Sequence, residues 1–168
     1  MRLWLALLCL ALLGSCGPSN GGGPVGIAVI GTSDSLFQQG VRLSPAAQHL
    51  RAATAEGLVS LDAGGQVVPA LAERWIVTDD GLSYIFRLRD GNWPGGGEIT
   101  APEVRGLLRG SIARLRGTSL GIDLDKVSDI RAMTGRVIEV RLTGPMPDFL
   151  RLLAQPELGF VKNSRGAG

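Results

Sequence analysis

The side chains able to do chemistry are few, and their spacing does not favour it. The chain has a single histidine, His49. No Cys, Asp or Glu stands near it at a metal-ligand spacing, so a zinc site would lack partners, and a surface or helix-packing role suits it better than catalysis. Asp79 and Asp80 are adjacent carboxylates, but they fall in a hairpin turn and diverge, which turn chemistry explains. There is no G-x-S-x-G nucleophile elbow. The glycine runs Gly21–Gly23 and Gly95–Gly97 are not followed by Lys-Ser or Lys-Thr, so they read as linker and loop, not phosphate cradles. Trp75, Tyr84, Phe86 and Trp93 are compatible with a stacking surface for a sugar or a base, or with a core shared by adjoining strands, and the core is expected. These residues imply no catalytic group, no metal and no cofactor.

Cys16 carries a different chemistry. An apolar run, Leu3–Leu13, follows Arg2 and ends at the small residues Gly14 and Ser15, which is signal-peptide anatomy. As a helix the run is about 16 Å long, roughly half of a ~30 Å hydrocarbon core, so a stable membrane span is disfavoured. Leu13-Gly14-Ser15-Cys16 resembles the bacterial lipobox, in which the cysteine is diacylated and becomes the first mature residue; an ordinary secretory signal with an incidental cysteine is the alternative. The small residues before Cys16 and the flexible tether behind it, GPSNGGGP to Pro24, favour lipidation. Cys9 would be removed with residues 1–15 and Cys16 blocked by lipid, leaving no thiol or disulfide in the mature chain. The formal charge of +2 is spread without a run, which gives no footprint for nucleic acid. Roughly 140 residues remain beyond the tether, enough for one core.

The elements that would hold these residues follow from pattern and punctuation. Val25–Ile30 reads as a buried strand. Ser44-Pro45 reads as an N-cap and first-turn proline opening a helix that runs to Gly57. Leu58–Leu61 and Gln66–Val68 form a hairpin around Asp62–Gly65, and Pro69–Arg74 a short helical turn. Trp75–Val77 and Leu82–Leu88 form a second hairpin about Thr78–Gly81. Thr100 to Glu103 is a capping box. The helix it opens places Val104, Leu107, Leu108, Ser111, Ile112 and Leu115 on one face and leaves Arg105, Arg109, Arg114 and Arg116 as a solvated one. Gly117–Lys126 reads as an exposed connection, Val127–Ala132 and Val137–Leu142 as strands, Asp148–Ala154 as a short helix and Leu158–Val161 as a last strand. The fold class expected is α/β.

The stretch from Glu56 to Val104 resembles the signature region of the family 5 extracellular solute-binding proteins, the peptide-, dipeptide- and nickel-binding subunits of ABC importers. The resemblance rests on Glu56-Gly57-Leu58, Gly64-Gly65, Pro69–Ala72, Trp75, Asp80-Gly81, Phe86–Gly91 and Thr100-Ala101. It continues through Asp129-Ile130, Val137–Leu142 and Pro147–Leu150. The loop Pro94–Glu98 departs from the family pattern, which usually has an acidic residue before the loop glycine. The resemblance implies a two-lobed, type II-like periplasmic binding fold with a mixed sheet, hairpins and packed helices. Residues 25–168 would supply the N-terminal part of lobe I, with the second lobe expected after residue 168. It further implies a peptide or related small solute as ligand, an ABC permease as membrane partner, and ligand-facing positions at Leu43, Ser44 and Pro45, while the anchor at Cys16 is expected from the lipobox-like sequence before it. A short envelope lipoprotein that uses the same subdomain to dock onto another protein is the alternative, as is a truncated gene product. Without nucleophile, base or metal, a hydrolase is disfavoured.

Overall fold

The computed structural model describes residues 43–160, together with residues 28, 30, 32 and 36. The expected signal peptide, Cys16, the tether and most of the Val25–Ile30 strand lie outside the described residues.

Helix α1 (Pro45–Thr54) starts where a proline occupies the first turn and Ser44 Oγ accepts the Ala47 N–H at 3.2 Å. It ends at Ala55 in extended backbone, before the expected stop at Gly57. Strands β1 (Val59–Leu61) and β2 (Val67–Pro69) pair antiparallel. Asp62 closes their turn, its Oδ1 accepting the N–H groups of Gly64 and Gln66 at 2.8 Å each, and Gly65 takes the φ of +72° that the reversal needs.

The expected helical turn at Pro69–Arg74 is instead the end of β2 and the start of β3 (Ala72–Val77). The reason is tertiary: the N–H groups of Leu71 and Ala72 bond to the carbonyls of Gly57 and Leu58, which pulls the segment straight. Strand β4 (Ser83–Leu88) follows, then α2 (Ala101–Leu115), α3 (Ser119–Leu124), β5 (Val127–Ala132), β6 (Val137–Leu142), α4 (Phe149–Leu153) and a 3₁₀ turn, Pro156–Leu158. The main sheet has the order β3-β4-β6-β5. Every ladder among the described residues is antiparallel, so the mixed sheet expected is here wholly antiparallel.

One face of the sheet is the core. Tyr84, Phe86 and Leu88 of β4 and Ile138, Val140 and Leu142 of β6 are buried at alternate positions, and α2 covers them with Val104, Leu108 and Leu115. The aromatic set belongs to this core: Tyr84, Phe86 and Trp93 are buried and Trp75 packs against them. Tyr84 meets Phe149 edge to face with centroids 4.7 Å apart, and its hydroxyl donates to the Met146 carbonyl at 3.0 Å. This fastens the chain after β6 onto the sheet, and burial raises the phenol's pKa.

Thr100 caps α2 through the Glu103 N–H, and Glu103 Oε2 accepts the buried Trp93 indole N–H at 2.8 Å. The unusual loop between them closes through its own backbone, with Trp93 N–H to Gly97 O and Gly96 N–H to Trp93 O, both 2.9 Å.

The other sheet face is polar but not bare. Glu139 is only 8% exposed and accepts from Arg141 Nε at 2.9 Å and Ser83 Oγ at 3.3 Å. On the β3–β4 turn, Asp80 Oδ1 accepts from Thr78 Oγ1 at 2.6 Å and the Leu82 N–H at 2.9 Å. These bonds, the threonine's first, hold the carboxyl below its usual value of 3.8.

Two outcomes are expected. Tyr84→Phe should cost about 1 kcal/mol in urea unfolding, since the ring contact survives and only the hydroxyl bond is lost. The Asp80 contribution is present above its unfolded pKa and lost as pH falls through the lower folded value. Asp80→Asn, which keeps the acceptor but does not titrate, should flatten part of the fall in urea midpoint between about pH 5 and about pH 2.

Candidate functional site

The segment after α2 contains structure that sequence pattern did not show. In place of an exposed connection at Gly117–Lys126 the chain forms α3, capped by Thr118. Thr118 Oγ1 donates to Leu115 O at 2.7 Å and accepts the Gly121 N–H at 3.1 Å, so one hydroxyl ends α2 and starts α3. Gly121 is buried where the two helices touch. A Cβ there would run into the Leu115 carbonyl oxygen, far inside contact distance.

This corner, the start of α1 and the 3₁₀ turn border an open hollow of about 390 Å³, lined by Leu43, Gln48, Leu115, Thr118, Leu120 and Glu157 among others. Gln48 Nε2 donates to Glu157 Oε1 at 3.3 Å, bridging α1 and the 3₁₀ turn across 109 positions of sequence. Of the three positions singled out as ligand-facing, only Leu43 lines the hollow. Ser44 is the α1 N-cap and does not line it, and Pro45 is exposed at the first turn. Cys16 lies outside the described residues. Gln48, Glu157 and the Thr118–Leu120 corner were not singled out from sequence, because their role comes from meeting across the fold and none carries a local motif.

The hollow holds one carboxylate and one amide beside apolar walls, which suits the recognition of a small polar solute more than bond-breaking. Thr118 is committed to the corner, and the Glu157 carboxylate is hydrogen-bonded to Gln48 and not to Ser119, the other hydroxyl of the lining. His49, on the solvent side of α1, does not line it. Among the described residues no group of three or more His, Cys, Asp and Glu is placed to hold a metal ion.

An antiparallel sheet backed by α2, with hairpins before it and a hollow at one end, is the fold of part of a two-lobed periplasmic binding protein. NikA of Brucella suis, solved in complex with Fe(III)-EDTA, aligns with a TM-score of 0.65 over 79% of this chain and 28% of its own, at 23% identity. The chain belongs to the bacterial extracellular solute-binding proteins, family 5 Middle, whose model matches residues 66–167. The resemblance carried by Glu56–Val104 is therefore borne out.

Among relatives, the probable deoxycholate-binding periplasmic protein YgiS of Escherichia coli K12 is 35% identical over 121 residues, 61% of this chain and 23% of that protein. The probable di/tripeptide-binding protein 5 of Pseudomonas aeruginosa UCBPP-PA14 is 71% identical over 35 residues, 20% of this chain and 7% of that one. The chain thus spans less than a quarter of the length of these relatives. Both are named for binding, not for catalysis.

Gly121→Ala should lower stability by about 1–3 kcal/mol in urea unfolding, as α3 is forced off the end of α2. Amide exchange should quicken at Gly121 and Ile122 first. An unchanged midpoint would show that the corner yields without cost.

Proposed function

We propose that the protein is a substrate-binding lipoprotein of an ABC importer. It captures peptides or a related small solute in the periplasm and hands them to a membrane permease without chemical change. The observation that carries this reading is the family match over residues 66–167, together with the 71% identity to a probable di/tripeptide-binding protein. Residues 1–15 act as a lipoprotein signal peptide, Cys16 holds the lipid, residues 16–24 form the tether, and residues 25–168 form the N-terminal part of lobe I. Leu43, Ser44 and Pro45 lie on the solute side, where the hollow at Leu43 offers apolar wall and the Gln48–Glu157 pair polar contacts.

Peptide is preferred over bile acid because the identity to the di/tripeptide-binding relative is twofold higher, though confined to a short stretch. In cells, disrupting the gene should reduce uptake of labelled di- and tripeptides several-fold and leave deoxycholate uptake unchanged. The reverse pattern would move the solute class to bile acids, and loss of neither would remove the transport reading. Cys16→Ser should abolish incorporation of labelled palmitate, and retained labelling would place the lipid elsewhere.

A further inference from the structure

The arginines of α2 do not all face water idly. Arg105 is half-buried and its Nε donates to the carbonyl of Ile130 on β5 at 2.8 Å. Asp129 Oδ1 accepts the N–H of the same Ile130 at 2.8 Å. β5 is an edge strand. The Met133 N–H bonds to Val137 O, so by antiparallel alternation Arg131 and Asp129 turn their backbone groups to β6 and Ile130 turns its own outward. Both outward groups of Ile130 are therefore taken by side chains, and a further strand has no place to pair at the middle of this edge.

Beside that closed edge runs a groove of about 260 Å³ between α2 and β5. Ile112, Ala113 and Val127 give it an apolar floor, and Arg109 and Arg116 stand along it, both exposed. Among the described residues neither guanidinium donates a hydrogen bond or joins a close ion pair. The nearby carboxylate is already engaged: Asp129 Oδ2 accepts from Arg131 Nε at 2.6 Å while Oδ1 holds the Ile130 N–H. That Arg131 bond is the main reason Asp129 stays below its usual pKa, with a smaller pull from Arg109. The groove keeps an excess of positive charge over an apolar strip.

We propose that the groove between α2 and the β5 edge docks an acidic, extended polypeptide segment of a partner protein, its carboxylates taken by Arg109 and Arg116. Arg109 lies on α2 and Arg116 is the helix's C-cap residue seven positions on, about 10 Å further along the axis. Acidic residues three positions apart in an extended segment rising ~3.1 Å per residue span about 9 Å, so each carboxylate meets one guanidinium. Contact is through side chains, because Ile130 is closed to main-chain pairing. This surface is built from α2 and β5 and shares no lining residue with the hollow at Leu43, so it stands independently of the solute.

The test is fluorescence anisotropy of a short labelled peptide, with two glutamates three residues apart in a Gly-Ser-Ala background, titrated with the full chain at low salt. Saturable binding is expected, weakened roughly tenfold or more in the Arg109→Glu, Arg116→Glu double variant. The Arg74→Glu, Arg151→Glu double variant makes the same charge change at exposed positions elsewhere and should stay within about twofold of the parent. The glutamine form of the peptide should not bind. The proposal is overturned if both double variants lose affinity equally, if the glutamine peptide binds as well, or if no saturable binding is seen. Displacement by inorganic phosphate at concentrations equal to the peptide's would also overturn it, marking a simple anion site.

Discussion

The backbone from Glu56 to Leu58 is the constraint on which the rest of the structure depends. Three parts of the chain converge there. Leu71 and Ala72 donate to the carbonyls of Gly57 and Leu58, and Phe160 donates to that of Glu56. Arg89, just past β4, holds the Glu56 carboxylate with two guanidinium nitrogens, the closer at 2.9 Å. The exit of α1, the entry to the sheet and the last described residues are thereby tied to one short strip. Gly57 admits this closeness, since a Cβ there would sit 3.0 Å from the Val59 carbonyl oxygen. The ion pair is about a third exposed on both sides and adds little by itself. The backbone bonds, in a region with buried Leu58 and Leu71, carry the weight.

From this strip outward, the sheet separates two tasks. Its inner face joins β4 and β6 to α2 through apolar packing that is indifferent to any ligand. The corner between α2 and α3, held by Thr118 and Gly121, then brings the end of α2 beside the start of α1. The resulting hollow gathers residues from four elements, so its shape depends on helix positions set by the core. The polar groups of the other face and of the β5 edge are mostly spent on one another, as the Glu139–Arg141 and Asp129–Arg131 pairs show. What they leave over is the pair Arg109 and Arg116, on α2 and at its C-cap.

Local chemistry made much of this readable in advance. Proline after Ser44, the Thr100–Glu103 box and the Asp-Gly turns act within four residues of themselves, and α1, α2 and the hairpins appear where they stand. The alternation Leu82, Tyr84, Phe86, Leu88 likewise marked a core face. The misreadings share one cause. Pro69–Arg74 looked helical because its partners, Gly57 and Leu58, are far enough away in sequence to leave no local trace. Phe160 was expected in a strand, yet the chain makes a 3₁₀ turn and touches Glu56 in a single bridge. Arg105 was read as solvated because nothing near it in sequence shows the Ile130 carbonyl it caps.

The sequence by itself determined the family, the starts of α1 and α2 and the hairpin turns, because each of these is written in residues that act on near neighbours. Only the tertiary structure decided that Gln48 and Glu157 would share one hollow and that Thr118 would join two helices. It alone decided, too, that Arg109 and Arg116 would be left without acceptors beside a closed edge. Those outcomes are sums of packing over elements distant along the chain, and a side chain's free valences are known only once every competing partner has been placed.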